Sequence, residues 1–493
     1  MTTTRSLPDR FILAGEPQST GKTMSVHDKF TGEVMAEIPL AGPSEIERAI
    51  ALGKQAERAC ARISPDRRAE ILDTMAKAVQ SRADELTLVL AREAGKPIQA
   101  AKVETDRCVA TLRESARVAR EEFTGSGRFA DRESRLNPTS ESPAISGVIR
   151  RVPIGLCSFI TPFNFPLNLV AHKIGPAIAC GCPFVLKPAE RTPLTALLLG
   201  QIALEAGRHP AGVSVLPCDV DDAGPFSSDE RFGLLSFTGS DKVGWKLKSR
   251  ATKMRTALEL GGDAAVIISS ASDGSTRAAA AKRIASAAYG YAGQSCISVQ
   301  RIIVVGDKAY EDLKSRLVDE IGQLKSGDPL DPDTFIGPLI DSDAADRVES
   351  WINEAIDGGA SKLIGGDRDG NTIMPTLLEN VPTSCNLARE EAFGPVAYLI
   401  RADDFDRAIN IANSSRYGLQ VGVYSSDEHE IERAFSYLEV GGVVAGDVPT
   451  FRTDPMPYGG VKDSGVGREG PLYAADDMTE QRLLIRRDRE NGR

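Results

Sequence analysis

Between Ser44 and Phe123, Leu, Ile and Val recur at helical intervals in an Ala-, Glu- and Arg-rich background, which predicts a run of helices. In "PSEIERAIALGKQAERA" Ser44 stands three residues ahead of Glu47, so Ser44 is expected to cap the first of them. From Gly147 the texture changes. "GVIRRVPIGLCSFIT" is β-rich and runs into a loop of Pro, Asn and Phe. Beyond it, helical patterns near Val170 to Ala179, from Pro193 to Ala206 and in "DKVGWKLKSRA" alternate with the strand-like runs "PFVLKP", "VSVLP", "FGLLSFTGS" and "RTALELGG". The second half repeats the alternation: "AAVIIS", an Ala-rich helix from Gly274 to Tyr289, "QRIIVVG", a helix from Tyr310, then units around Val396–Ile411 and Val421–Leu438. Strands alternating with helices predict parallel α/β sheets. The tail "QRLLIRRDRE" alternates like an exposed edge strand, which is usually paired within the chain or across a subunit interface. The expected fold is α/β, with two parallel-sheet α/β domains and a small β element for assembly.

Composition narrows the function classes. The chain has 493 residues, 41% of them hydrophobic, and a net charge of −10 with acids and bases interleaved, so it carries neither the basic face of a nucleic-acid binder nor a polybasic membrane patch. Met1 to Glu16 has no apolar h-region, so no secretory signal is expected. The most apolar region, Gly155 to Leu186, is interrupted by Asn164, Asn168, His172, Lys173 and several prolines and does not read as a membrane span. Eight scattered cysteines then read as free thiols in a reducing cytoplasm. No cysteine or histidine falls in a metal-ligand spacing, and the Cys180/Cys182 pair reads as two buried thiols. With only His27, His172, His209 and His429 in the chain, the usual base for a Ser or Cys nucleophile is scarce.

Five short segments carry chemistry. In "GYAGQSCIS", Cys296 follows Gly290 and Gly293 at the end of a helical stretch, where local N–H groups are expected to lower its thiol pKa below about 8.5; the alternative is an inert turn cysteine. Glu259 in "LELGG" puts a carboxylate at an apolar strand end, either bonded locally or serving as a base. Asn164 in "TPFNFPLN" can donate to an oxyanion or satisfy a turn. "FTGS", Phe237 to Ser240, joins a strand to a helix N-terminus, a place for a pyrophosphate. Lys187 and Glu190 in "VLKPAE" end a strand and can hold a ribose diol or simply be solvated.

Together these segments resemble the aldehyde dehydrogenase superfamily, whose motif order "TPFNFP", "KPAE", "FTGS", "LELGG", "GQSC", "EEAFGP" and "PYGGVKDSGVGREG" is followed from Thr161 to Gly470. The resemblance implies that Cys296 is the nucleophile, Asn164 and the Cys296 N–H hold the oxyanion, and Glu259 activates the deacylating water. It places Lys187 and Glu190 on the adenine ribose, Gly239 and Ser240 on the pyrophosphate, and Glu391 and Phe393 on the nicotinamide ribose and ring. Lys173 matches a lysine near the proton exit. The implied cofactor is NAD, with NADP less favoured because Glu190 repels a 2′-phosphate.

The implied divisions are a dinucleotide-binding domain of residues 1–129 and 152–259, and a catalytic domain of 260–440. Residues 130–151 and 470–493 form a bridging element, 441–469 supply substrate and interface loops, and a homodimer or homotetramer is expected. The product is expected to be a free acid, since relatives that acylate coenzyme A generally lack the Glu259 carboxylate. The substrate is expected to be a small hydroxylated or anionic aldehyde, with Arg301, Arg452 and Lys462 as sources of positive charge, although Arg301 also fits the start of a strand. Three departures from the family pattern stand out: Ser295 replaces a frequent Arg, Asp263 follows the glycine pair and reads as a solvated turn residue, and Gly446 replaces a frequent Asn. The competing functions are a cysteine hydrolase or acyltransferase, and an inactive binding homologue.

Overall fold

The computed structural model describes residues 7–135 and 145–487. Five parallel strands form the centre of the first sheet. In spatial order they are Val213–Val215, Phe184–Lys187, Cys157–Ile160, Leu234–Thr238 and Arg255–Glu259. Numbered by chain order, that is 3-2-1-4-5. Successive connections therefore leave Cys157–Ile160 on one side and enter Leu234–Thr238 on the other, opening a crevice at the carboxyl ends of this strand pair. The strands are apolar because helices cover both faces; the helix Leu194–Glu205, rich in Leu all round, has Leu197, Leu198 and Leu199 in the core. Short antiparallel strands Phe11–Leu13 and Glu16–Gln18 extend one edge, and Gly465–Val466 closes the other against Arg255–Glu259.

The predicted helical run is present as Pro43–Ala61, Pro65–Ser81, Ala83–Ala94 and Ile98–Arg117. Its first cap lies elsewhere than expected. The helix starts at Pro43, Gly42 is the cap residue, and the Gly42 N–H donates to the Glu45 carboxylate at 3.0 Å. Proline suits the first helical position because its missing N–H has no helical partner there, and Ser44 is thereby already inside the turn.

The second sheet runs Ser361–Ile364, Thr376–Glu379, Val396–Ala402, Arg301–Val305, Ala265–Ile268, Gln420–Tyr424 and Gly442–Ala445, all parallel except the first. A third sheet pairs Ile145–Pro153 with both Thr479–Arg487 and Arg132–Arg135 in antiparallel register, so the tail is an edge strand as its alternation predicts. Residues 1–6, 136–144 and 488–493, which include parts of the expected bridging element, lie outside the described residues.

The junction between the two large sheets positions the chemistry. Glu259 is the last residue of one strand, and Ala265 opens the next sheet six residues later. Ala265 pairs with Arg301, and the Gln300 N–H reaches the Ala264 carbonyl at 3.0 Å, so the segment after Glu259 runs beside the segment from Cys296 to Gln300. Gly262 completes this approach: a Cβ there would lie 2.7 Å from the Cys296 carbonyl oxygen, which no side chain tolerates.

Candidate active site

A cleft of about 700 Å³ opens at the crevice between Ile160 and Thr238 and extends to the sheet junction. Every predicted site residue except Lys173 lines it: Asn164, Lys187, Glu190, Gly239, Ser240, Glu259, Cys296, Glu391 and Phe393. Lys173 lies behind it, lining a small cavity of about 20 Å³ shared with Ser236, Glu259 and Glu469. Its ammonium donates to Ser236 Oγ at 2.8 Å.

The Cys296 thiol is half-buried and lies 2.8 Å from the Tyr458 hydroxyl. Its pKa runs against the expectation from local N–H groups. Burial pushes it up to about 12, opposed first by the Tyr458 hydrogen bond and also by Arg452. The Cys296 loop is strained, with Tyr291 and Ala292 at φ 52° and 53°, in the left-handed region that costs non-glycine residues.

Asn164 is buried, and its amide donates to the Gln294 carbonyl at 3.0 Å, which ties it directly to the Cys296 loop. An amide nitrogen carries two hydrogens, so one donor remains. Glu259 is also buried, and neither carboxylate oxygen has a hydrogen-bond partner among the described residues. Burial and then the Glu469 carboxylate push its pKa well above the ordinary range, while Arg452, Lys173 and Arg468 resist. Burial also raises Glu469, but Arg452, His172 and Lys173 outweigh it and hold Glu469 low. Of this pair, Glu259 takes the proton.

At the other end of the cleft, Ser240 caps the helix Asp241–Arg250, and the buried Thr238 hydroxyl just before it has no partner among the described residues. Lys187 and Glu190 form an ion pair. Toward the junction, the Gly262 N–H donates to Glu391 at 2.9 Å, and burial raises that carboxyl to about 7. Phe393 is held at φ 47° and meets Phe163 edge-on, with centroids 5.7 Å apart.

Among the expected positive charges, only Arg452 lies in the cleft. Arg301 is buried at its strand start and donates to the carbonyls of Asp263, Ile411 and Ala412. Lys462 donates to the carbonyls of Asn413 and Ser415. Asp263 is buried rather than solvated: Arg301 at 3.2 Å and the Ser415 hydroxyl at 2.7 Å hold it in place. Gly446 adopts φ 76°, a conformation that Gly and Asn share as the residues most tolerant of it. All eight cysteines are free, no cluster able to hold a metal occurs among the described residues, and no described helix is long and apolar enough to cross a membrane.

Several site residues gave no signal of their role in the sequence. Tyr458 and Glu469 sit inside the motif "PYGGVKDSGVGREG", but nothing in its spacing says that they reach Cys296 and Glu259. The buried ion pair of Lys96 with Glu104 is a second case. Lys96 donates to the Asn164 carbonyl at 2.7 Å and lies over the rings of Phe165 and Tyr291. Glu104 accepts from the N–H groups of Leu167 and Asn168 at 3.0 and 3.1 Å. The pair thus anchors the Asn164 loop against the Cys296 loop. His172 bonds to Asp454 at 3.0 Å, and no histidine touches Cys296, so a cysteine–histidine hydrolase pair is not assembled.

Residues 16–484 match the family model described as "Aldehyde dehydrogenase family". The 3-sulfolactaldehyde dehydrogenase of Priestia megaterium is 39% identical over 472 residues, covering 96% of each chain. The structure of aldehyde dehydrogenase 21 from Physcomitrella patens, in complex with the reaction product succinate, superposes with a TM-score of 0.93 at 39% identity, covering 98% of this chain and 99% of that one. Glyceraldehyde-3-phosphate dehydrogenase from Methanocaldococcus jannaschii, complexed with NADP, gives a TM-score of 0.88 at 35% identity, covering 95% of this chain and 100% of that one. Family model, near full-length relatives and superposed folds agree with the motif order and the cleft: the chain belongs to the aldehyde dehydrogenase family.

Proposed function

We propose that the chain oxidises a small anionic aldehyde to the free carboxylic acid with NAD(P), using Cys296 as nucleophile. The observation that carries this reading is the convergence of Cys296, Asn164 and Glu259 on one cleft where two sheets meet. The Cys296 sulfur forms a bond to the aldehyde carbon, and the carbonyl oxygen becomes an oxyanion received by the free Asn164 N–H and the Cys296 N–H. When bound, the nicotinamide dinucleotide supplies the hydride acceptor. Cys296 then holds the acyl group as a thioester. Glu259 takes a proton from water, the water oxygen bonds the acyl carbon, and the carbon–sulfur bond breaks. Behind Glu259, the cavity shared with Lys173 and Glu469 is large enough for about one water and offers a way out for the proton.

The residues fit a dinucleotide. Ser240 and the unpartnered Thr238 hydroxyl offer donors to a pyrophosphate with Gly239, Lys187 and Glu190 flank a ribose, and Glu391 and Phe393 lie between that end and Cys296. We assign the first sheet to cofactor binding, the second to catalysis and the third to assembly. The exposed Leu483, Leu484 and Ile485 of its edge strand favour a homodimer or homotetramer, and the free thiols favour the cytoplasm. Because a Glu190 carboxylate beside the ribose would repel a 2′-phosphate, NAD is expected to be used about tenfold better than NADP, and Glu190→Gln to narrow the gap. Comparing kcat/KM for both cofactors in both proteins checks this; an unchanged ratio removes Glu190 from cofactor choice.

For the substrate, Arg452 supports an anionic group. Its side chain, 9% exposed, lies in the cleft 3.1 Å from Glu469, yet among the described residues its Nε and Nη2 have no aligned acceptor. Such donors suit a carboxylate, sulfonate or phosphate on the aldehyde. The three relatives described above bear names or ligands with those groups. In a NAD(P)H absorbance screen, anionic aldehydes should exceed neutral analogues by tenfold or more in kcat/KM, and Arg452→Lys should erase most of that margin. Equal rates for both classes overturn the anionic assignment. Adding coenzyme A should leave the free acid as product; obligatory acyl-CoA formation overturns the hydrolytic step.

A further inference from the structure

The steps above leave Tyr458 without a task, although it stands closer to Cys296 than any other polar side chain in the hydrogen-bond network. Its hydroxyl lies 2.8 Å from Sγ, and among the described residues that sulfur is its one hydrogen-bonding partner. The residue is 3% exposed and packs with Ile297 and Leu419 in the wall of the cleft. On the ring face sits the Arg452 guanidinium, 3.8 Å from the centroid. A cation there draws on the ring's electron density and makes the phenolic O–H a stronger donor.

A thiolate has no hydrogen to give, so the tyrosine must be the donor whenever Cys296 is ionised. We propose that Tyr458 is a catalytic residue: its O–H donates to the Cys296 sulfur and holds the thiolate, both before attack and when it leaves the thioester. This inference rests on Cys296 being the nucleophile. The proton count is simple. The thiol proton passes to water in the cleft before attack, and the tyrosine keeps its own proton throughout. When the carbon–sulfur bond breaks, the electron pair passes to sulfur and meets the same O–H. The electrostatics run in the same direction. Burial raises the thiol and the Tyr458 bond is the largest influence against it, while burial keeps the phenol itself protonated.

A tyrosine that only shapes the pocket would affect aldehyde KM and nothing in the free enzyme. The test therefore reads the free enzyme. Iodoacetamide alkylation is followed against pH, with the labelled peptide identified by mass spectrometry; the other seven cysteines are buried and report little. Tyr458→Phe keeps the ring beneath Arg452 and should move the alkylation midpoint up by about one pH unit or more, slowing labelling roughly tenfold at neutral pH. Site-specific 3-fluorotyrosine at position 458, a more acidic donor, should move the midpoint down. Midpoints unmoved in both proteins overturn the proposal. If the Phe variant no longer binds NAD, the fluorotyrosine protein, altered by one atom, decides alone. Persistence of aldehyde oxidation in Cys296→Ala would instead sink the nucleophile assignment, which these midpoints do not address.

Discussion

Cys296→Ala should lose aldehyde-dependent NAD(P)H formation by roughly four to six orders of magnitude while still binding the dinucleotide. The expected loss is this large because nothing nearby replaces the thiol. The other seven cysteines are buried, and no histidine stands by to activate the neighbouring Ser295 hydroxyl. Cys296→Ser should be nearly as poor, since a serine hydroxyl without a base is a weak nucleophile. Dinucleotide binding is the control, because Lys187, Glu190, Gly239 and Ser240 lie at the far end of the cleft, on the first sheet and the loops that follow its strands. Equilibrium binding of NAD to the Ala variant, beside steady-state rates on the best aldehyde, separates lost chemistry from lost structure. Activity within tenfold of the parent protein would move the nucleophile elsewhere. In the parent protein, mass spectrometry of the quenched reaction should find the acyl group on the Cys296 peptide.

The route from residues to site was legible where chemistry and local pattern coincide. Alternating strand and helix textures announce two parallel sheets, and the "FTGS" step from strand to helix marks the crevice end of Leu234–Thr238. Glu259 could be singled out because a carboxylate at the end of an apolar strand is costly to bury without purpose. Relations across the chain were not legible. Lys96 and Asn164 are 68 positions apart, and Cys296 and Tyr458 are 162 apart, so only the folded register reveals either contact. Electrostatic sign was hidden for the same reason. Local N–H groups suggested a low thiol pKa, but burial dominates the Cys296 environment, and the groups that oppose it come from the segment holding Arg452 and Tyr458. Asp263 shows the converse: a polar residue beside two glycines reads as a turn until Arg301 and Ser415 are brought around it.

Glu259→Gln should separate the two halves of the reaction. Glutamine keeps the shape of the side chain and cannot accept a proton from water. The first half, in which the Cys296 sulfur adds to the aldehyde and the thioester forms, should still run once per active site, giving a burst of NAD(P)H. The steady rate after it should fall by about two to four orders of magnitude, the usual worth of a general base, and the acyl-Cys296 thioester should accumulate. The pH dependence follows from the raised carboxyl. Burial and Glu469 hold the proton on Glu259 above the ordinary carboxylate range, so the base form is scarce at low pH and grows as pH rises through that raised value. Wherever hydrolysis limits turnover, kcat of the parent protein should rise with pH over that window and fall below it, and the Gln variant should lose this limb. Rapid-mixing traces of both proteins across pH, with acyl-enzyme counted by mass, provide the measurement. Burst and steady rates that fall together would place Glu259 in the first half-reaction, acting on the thiol rather than on water.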